Sequence, residues 1–334
     1  MLTFLRRLFF LTVLAALAIA GYAAWYVSTP LPSARLPVEF DLPPGTGFRA
    51  AAQRIDQAGL EISRFQFELL ARVLGRAQDI KAGSYEIAAA PTPLGLLDKL
   101  TRGDVTQADI TFVEGWTFRQ LRAALDASAF VRHQASGLDD RQVLAGIGAA
   151  ESRVEGLFFP DTYLFAKGAS DLSVLKRAYG AMQRHLAREW AQRDPDLPYK
   201  TSYEALIMAS VIEKETGLAA EREQIAGVMV NRLRRGMLLQ ADPTVIYGIG
   251  PAFDGNLRKV DLVTDGPYNT YTRPGLPPTP IALPGLASLR AALRPARTGA
   301  LYYVARGDGS SQFSRTLEEH NRAVSKYQLQ PSRK

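Results

Sequence analysis

The chain has 334 residues, 47% hydrophobic and 22% charged, with no cysteine and a formal net charge of +7 from 40 Lys+Arg against 33 Asp+Glu. At roughly 150 residues per domain this length suits about two folded domains with a core of their own. The missing thiols exclude disulfide scaffolds, thiolate nucleophiles and Cys-ligated metal centres, and the basic residues form no long block interleaved with aromatics, which argues against a nucleic-acid partner.

Arg6 and Arg7 precede an uncharged, mostly apolar run from Leu8 to Val27 that ends in Trp25 and Tyr26. A helix over this run covers about 30 Å, the hydrocarbon thickness of a bilayer, and its terminal aromatic rings suit the lipid interface. The positive-inside rule places residues 1–7 in the cytoplasm and the rest of the chain outside the plasma (inner) membrane. Ala18-Ile19-Ala20 resembles a signal-peptide cleavage site, but the apolar run continues past it, so an uncleaved single-pass anchor is the preferred reading. Prolines at 30, 32, 37, 43 and 44 make residues 28–44 a semi-rigid spacer.

Beyond the spacer, the pattern predicts a strand over Val38 to Leu42 and, after Gly45, a short amphipathic helix. A helix follows around Phe65 to Leu74, then a strand over Ser84 to Ala88 and a helix from Pro93 to Thr101. A strand–glycine–helix arrangement returns 70 residues later, with Gly45, Phe48, Arg49, Ile55 and Asp56 matched by Gly115, Phe118, Arg119, Leu125 and Asp126. Its second copy, from Thr111 through Glu114-Gly-Trp to Leu121, resembles the start of a LysM-type carbohydrate-binding module. From about residue 138 helical patterns dominate, over Asp139 to Ala150, Leu172 to Arg193, Tyr203 to Thr216 and Glu221 to Arg235. A proline-dense loop (Thr264 to Leu286), a strand (Ala300 to Ala305) and a closing helix (Arg315 to Tyr327) complete the pattern. The expected fold is α+β: a transmembrane helix (8–27), a LysM-like α+β module (45–137), and a mainly helical catalytic domain with a small sheet (138–334).

Phosphate loops, dinucleotide turns, G-x-S-x-G elbows and metal-ligand spacings are missing from the sequence, and His133, His185 and His320 are far apart. The expectation is no metal and no cofactor, which leaves chemistry by carboxylic acids, hydroxyls and amides. Thr201 and Glu204 look like a capping box opening a helix that is apolar on nearly every face from Ala205 to Ile212 and ends in Glu213-Lys-Glu215. Glu213 shares its face with Ala209 and Leu206. Desolvation and the negative end of the helix dipole there both favour a protonated carboxyl, as a general acid requires. Periodicity alone leaves open that Glu213 and Glu215 merely pair with Lys214 or Arg222 at an exposed helix end. The segments Leu239 to Gly248 and Tyr268 to Thr272 read as loops rich in amides, hydroxyls and rings, the side-chain types that hold sugars. Taken singly, Gln240, Asp242, Asn269 and Tyr271 are equally well turn-formers.

Six ordered segments carry a resemblance: Glu155-Gly-Leu-Phe-Phe-Pro-Asp-Thr-Tyr163, Ala209-Ser-Val-Ile-Glu-Lys-Glu-Thr216, Val230-Asn-Arg-Leu233, Leu239-Gln-Ala-Asp-Pro-Thr-Val-Ile-Tyr-Gly248, Tyr268-Asn-Thr-Tyr271 and Gly275-Leu-Pro-Pro278. Together they resemble the motif series of the YceG-like endolytic murein transglycosylases, the MltG family. The resemblance implies a lytic transglycosylase that cuts peptidoglycan glycan strands between N-acetylmuramic acid and N-acetylglucosamine and leaves a 1,6-anhydro end. It implies Glu213 as acid and then base, with Glu155, Asp161, Glu215, Gln240, Asp242, Asn269 and Tyr271 as cleft residues. Peptidoglycan synthases are implied as neighbours, with termination of nascent strands as the role. A lysozyme-like hydrolase remains an alternative, with its second carboxylate from Glu215, Glu155 or Asp161. A non-catalytic peptidoglycan-binding anchor is the other.

Overall fold

The computed structural model describes residues 2–329 except Ala34, Pro44 and Thr216, with the side chains of Leu2 and Thr3 also left aside. The expectations that fall on Met1, Ala34, Pro44, Thr216 and residues 330–334 lie outside the described residues. In chain order the elements are α1 (Leu2–Ser28), β1 (Val38–Leu42), α2 (Phe48–Gln57), α3 (Arg64–Val73), β2 (Gly83–Ile87), α4 (Pro93–Arg102), β3 (Gln107–Thr111) and α5 (Phe118–Ala127). Then come β4 (Val131–Arg132), α6 (Asp140–Ile147), β5 (Thr162–Ala166), β6 (Ala169–Ser170), α7 (Asp171–Ala191), α8 (Ser202–Glu215) and α9 (Arg222–Arg234). The remaining elements are α10 (Asp242–Ile249), α11 (Lys259–Val263), α12 (Leu286–Leu293), β7 (Tyr302–Ala305), β8 (Ser311–Ser314) and α13 (Leu317–Tyr327). The protein is thus a mixed helix-and-sheet structure with an apolar N-terminal helix.

These elements form two compact units. One holds the chain up to Ala108 with Phe130–Arg132 and Leu164–Ala169; the other holds Asp109–Ala129, His133–Tyr163 and the chain from Ser170 onward.

In the first unit, α1 is long and apolar enough over Phe4–Ser28 to cross a membrane, and that stretch is not buried. Strand β1 buries every second residue and pairs antiparallel with β2, from Val38 opposite Ile87 to Leu42 opposite Gly83. The Phe40 and Tyr85 rings stack across the pair at 5.5 Å. Phe48, Ala51, Ala52 and Ile55 of α2, Phe67 of α3, and Leu96, Leu97 and Leu100 of α4 close over this face. The α-helical spacing of these residues is what brings one side of each helix onto the sheet.

The second unit is organised around α8. Every residue from Ala205 to Ile212 is buried, a helix apolar all round because neighbours cover it on every side; α7, α9, α10 and α12 pack against it. The expected capping box is half formed: the Glu204 N–H donates to Thr201 Oγ1 at 3.2 Å, while the Glu204 carboxylate accepts from the Lys200 N–H. One expectation of loop structure is corrected. Residues 242–249 form α10, with Pro243 in its first turn, where a missing N–H costs nothing. The proline-dense loop is irregular as expected, and α12, which is not among the helices predicted from the sequence, follows it and buries Leu289, Ala291, Ala292 and Leu293. The late strand β7 pairs antiparallel with β8, from Tyr302 opposite Ser314 to Ala305 opposite Ser311.

Candidate active site

Glu213 sits where α8 leaves the core, and its side chain is only 6% exposed. Two groups from other helices face its carboxylate. The Gly285 N–H, just ahead of α12, donates to Oε2 at 2.9 Å, and Arg222 Nη2, at the start of α9, lies 3.6 Å from Oε1.

A second carboxylate stands beside it. The segment after β3 is fastened to the run before α12 by two backbone bonds: Gly115 N–H to Leu283 O at 2.9 Å and Leu283 N–H to Trp116 O at 2.7 Å. This places the Glu114 carboxylate flat against the Cα of Gly285. A Cβ at position 285 would stand 1.8 Å from Glu114 Oε1 and 2.2 Å from its Cδ, so any larger residue there displaces this carboxylate. Burial raises the proton affinity of Glu114 above the usual carboxylate range; the Glu213 charge adds to the effect and Arg222 opposes it. Glu114 is absent from the site candidates drawn from the sequence, where it figures only within the LysM-like segment, and Arg222 figures there only as a pairing partner for Glu213 or Glu215. The Glu114 contact joins positions far apart in the chain.

Glu215 follows Glu213 by two residues, about 200° around the helix, and so faces the opposite way. There it accepts a hydrogen bond from the Tyr303 hydroxyl on β7 at 2.8 Å; its other oxygen, Oε1, is buried with no partner among the described residues. Burial pushes this carboxyl up to about 7, against the Tyr303 bond and with help from Asp242. Next to it Arg232 donates to Leu301 O at 2.7 Å, Leu239 O at 2.9 Å and Gln240 Oε1 at 3.1 Å. The Tyr271 hydroxyl bonds to Asp242 Oδ1. Glu215, Gln240, Asp242 and Tyr271 thus gather in one network around Arg232 and Tyr303. The Asn269 carboxamide is occupied within its own loop: its nitrogen donates to the carbonyls of Asp261, Leu262 and Thr264, and its oxygen accepts from the Tyr271 N–H.

Glu155 lies elsewhere in this unit, 7% exposed. Its oxygens accept from the Phe118 N–H at the start of α5 (2.9 Å) and from the Tyr247 hydroxyl of α10 (3.0 Å). The turn that delivers it needs Gly156, whose φ is +78° and whose added Cβ would stand 2.4 Å from Pro280 Cβ. Burial pushes Glu155 up to about 7, against those hydrogen bonds. It borders a cavity of about 370 Å³ walled by Tyr247, Tyr268, Arg119 and Arg153. Arg153, Tyr268 and Thr279 also line a cleft of about 700 Å³ that reaches Glu151 and Tyr203, volumes in the range of small-ligand sites. Asp161 is exposed; its Oδ1 accepts from the Thr162 N–H at 2.7 Å and its carbonyl from the Phe112 N–H at 3.0 Å.

Fold and site together describe a mixed α and β protein whose candidate chemistry rests on carboxylic acids held by backbone N–H, phenol and guanidinium groups. The chain matches the sequence profile of the YceG-like family over residues 40–326 and belongs to that family. It is 33% identical over 307 residues to an endolytic murein transglycosylase of Bacillus subtilis (strain 168), covering 87% of this chain and 84% of that protein. A protein of the same name from Streptococcus pneumoniae serotype 2 (strain D39) is 27% identical over 357 residues, covering 95% of this chain and 64% of its own length. A 2.6 Å crystal structure of a yceG-like protein from Listeria monocytogenes aligns with a TM-score of 0.54 at 27% identity, over 86% of this chain and 98% of that one.

Proposed function

We propose that this protein is an endolytic murein transglycosylase, a lyase that cuts peptidoglycan glycan strands between N-acetylmuramic acid and N-acetylglucosamine. The observation that carries the reading is Glu213: a carboxyl at the tip of a buried helix, fixed by the Gly285 N–H and facing Arg222. Glu213 gives its proton to the glycosidic oxygen as the bond from that oxygen to C1 breaks. It then takes the proton of the muramoyl C6 hydroxyl as that oxygen bonds to C1, closing the 1,6-anhydro ring. No water is consumed, and intramolecular attack removes the need to localise one. Arg222 puts positive charge where the carboxylate charge appears, and a guanidinium in a partly buried site is worth more there than in water.

Around this centre, Gln240, Asp242 and Tyr271 offer amide, carboxylate and phenol groups to sugar hydroxyls, with Glu215 and Asn269 holding that surface in place. Glu155, with the clefts beside it, and Asp161 complete the set assigned to the strand. On this reading a LysM-like module over 45–137 precedes a catalytic domain over 138–334, with α5 of that module in the second compact unit. Helix α1 is the membrane anchor, with the N-terminus cytoplasmic and the rest outside the inner membrane. Such a tether favours action on nascent strands beside the synthases that make them.

The test is mass spectrometry of a defined, uncrosslinked glycan polymer incubated with the detergent-solubilised full chain. Anhydro ends are expected from the parent and none from Glu213→Gln. Reducing ends would make the protein a hydrolase, and an intact polymer that still binds the protein would make it an anchor.

A further inference from the structure

Three carboxylates were open from the sequence to stand beside Glu213, namely Glu215, Glu155 and Asp161. Each is engaged elsewhere, Glu215 with Tyr303, Glu155 with Phe118 and Tyr247, and Asp161 with Thr162. The carboxylate that stands there is Glu114. We propose that Glu114 is a second catalytic carboxylate, one that touches the muramoyl ring and stabilises the positive charge developing at C1 and the ring oxygen as the glycosidic bond breaks.

Three observations carry this, and the inference rests on the transglycosylase reading above. First, both carboxylates are referenced to one residue: Gly285 donates its N–H to Glu213 Oε2, and its bare Cα receives Glu114 Oε1. The two backbone bonds to Leu283 hold the Glu114 segment next to the residue that binds Glu213. Second, Glu114 is exposed as a residue whereas the Glu213 side chain is buried, so Glu114 is the member of the pair nearer to a bound polymer. Third, among the described residues Glu114 accepts no hydrogen bond and forms no ion pair, although its backbone is pinned on both sides. A carboxylate that a pinned backbone delivers beside Glu213, with no protein partner of its own, is open to a group outside the protein. The transition state of glycoside cleavage has oxocarbenium character, and a fixed negative charge beside it lowers its energy without needing to reorient. Glu114 makes no bond to carbon; the proton still travels through Glu213 and the attacking oxygen is still the C6 hydroxyl.

The experiment compares the full chain with Glu114→Gln and Glu114→Asp in detergent, on the same glycan polymer, reading kcat, KM, end-group chemistry and melting temperature. Glu114→Gln is expected to lower kcat on the order of 100-fold, to leave KM within about threefold, a difference small beside the factor of ten per 1.4 kcal/mol, and to yield anhydro ends still. It should also lose the acid limb of the kcat profile, because the rate falls once Glu114 protonates. The charged groups that act on Glu114 are Glu213 of α8 and Arg222 of α9, with Lys214 bonded to the neighbouring Gly115 carbonyl, and all three remain in the variant. A Glu114→Gln protein with parental kcat, or one whose loss is entirely in KM, overturns the assignment. If that variant melts well below the parent, Glu114→Asp decides: recovery of at least about a tenth of parental kcat, about 1.4 kcal/mol, supports the role, and no recovery overturns it. A parent that does not cut the polymer sinks the transglycosylase reading itself, whereas a parent that cuts equally well without Glu114 sinks only this inference.

Discussion

Glu213 and Glu215 are two residues apart on one helix, yet their surroundings are opposites. Glu213 meets a backbone N–H, an arginine and a second carboxylate with open oxygens; Glu215 is sealed beside Tyr303 and Arg232, one oxygen bonded and the other with no partner among the described residues. The first arrangement joins α8 to the starts of α9 and α12 and, on the proposed function, leaves the acid of the reaction there. The second uses a carboxyl as a fastener between α8 and the β7–β8 hairpin. Acids with the same sequence context are separated in role by the face of the helix on which they fall.

Four changes break or sharpen this contrast. The largest effect is expected on the Glu213 side, where Glu213→Gln removes the exchangeable proton and should lower turnover by more than about 1,000-fold while the melting temperature stays near the parental one; retention of most activity would refute the assignment. Next, Gly285→Ala puts a methyl group where Glu114 Oε1 lies. Displacing a reacting group by about 1 Å costs on the order of 100-fold in rate, so kcat should fall by that order; an alanine variant with normal kcat would show that the carboxylates need not share that glycine.

On the Glu215 side the expected effects are on stability. Tyr303→Phe strips the one hydrogen bond from a buried carboxyl and should cost about 1–3 kcal/mol in denaturant unfolding, with kcat changed only severalfold. A large loss of kcat at unchanged stability would place Glu215 in the chemistry instead. The smallest effect is a slope. Burial raises Glu155 and Glu215 from 4.5 to about 7 in the folded chain. Both therefore hold their protons more tightly folded than unfolded, a contribution complete below about pH 4.5 and lost as pH rises through about 7. Unfolding free energy should fall across that window, and Glu215→Gln should flatten part of the fall. Identical slopes in parent and variant would contradict the buried state of Glu215.

Much of this was legible in the residues. Alternation in Val38 to Leu42 and the all-round apolarity of Ala205 to Ile212 are properties of short windows, and they yielded β1 at its observed bounds and α8 as a buried helix. Proline concealed α10. In the first turn of a helix proline is tolerated, so the segment around Pro243 reads as loop when that proline only introduces a helix. Of the candidate site residues, Glu215, Gln240, Asp242 and Tyr271 do come together, but around Arg232, which lies in a motif segment without being named a site residue, and Tyr303, which no local pattern singles out.

The sequence by itself determined the apolar N-terminal helix, the alternation of strands and helices, the family motifs and the acid at the end of the most apolar helix, because each is written in spacing or residue type within a few turns of chain. Only the tertiary structure decided which carboxylate stands beside Glu213. That depends on the missing side chain of Gly285 and on two backbone hydrogen bonds to Leu283, contacts across some 170 residues of chain that no periodicity encodes.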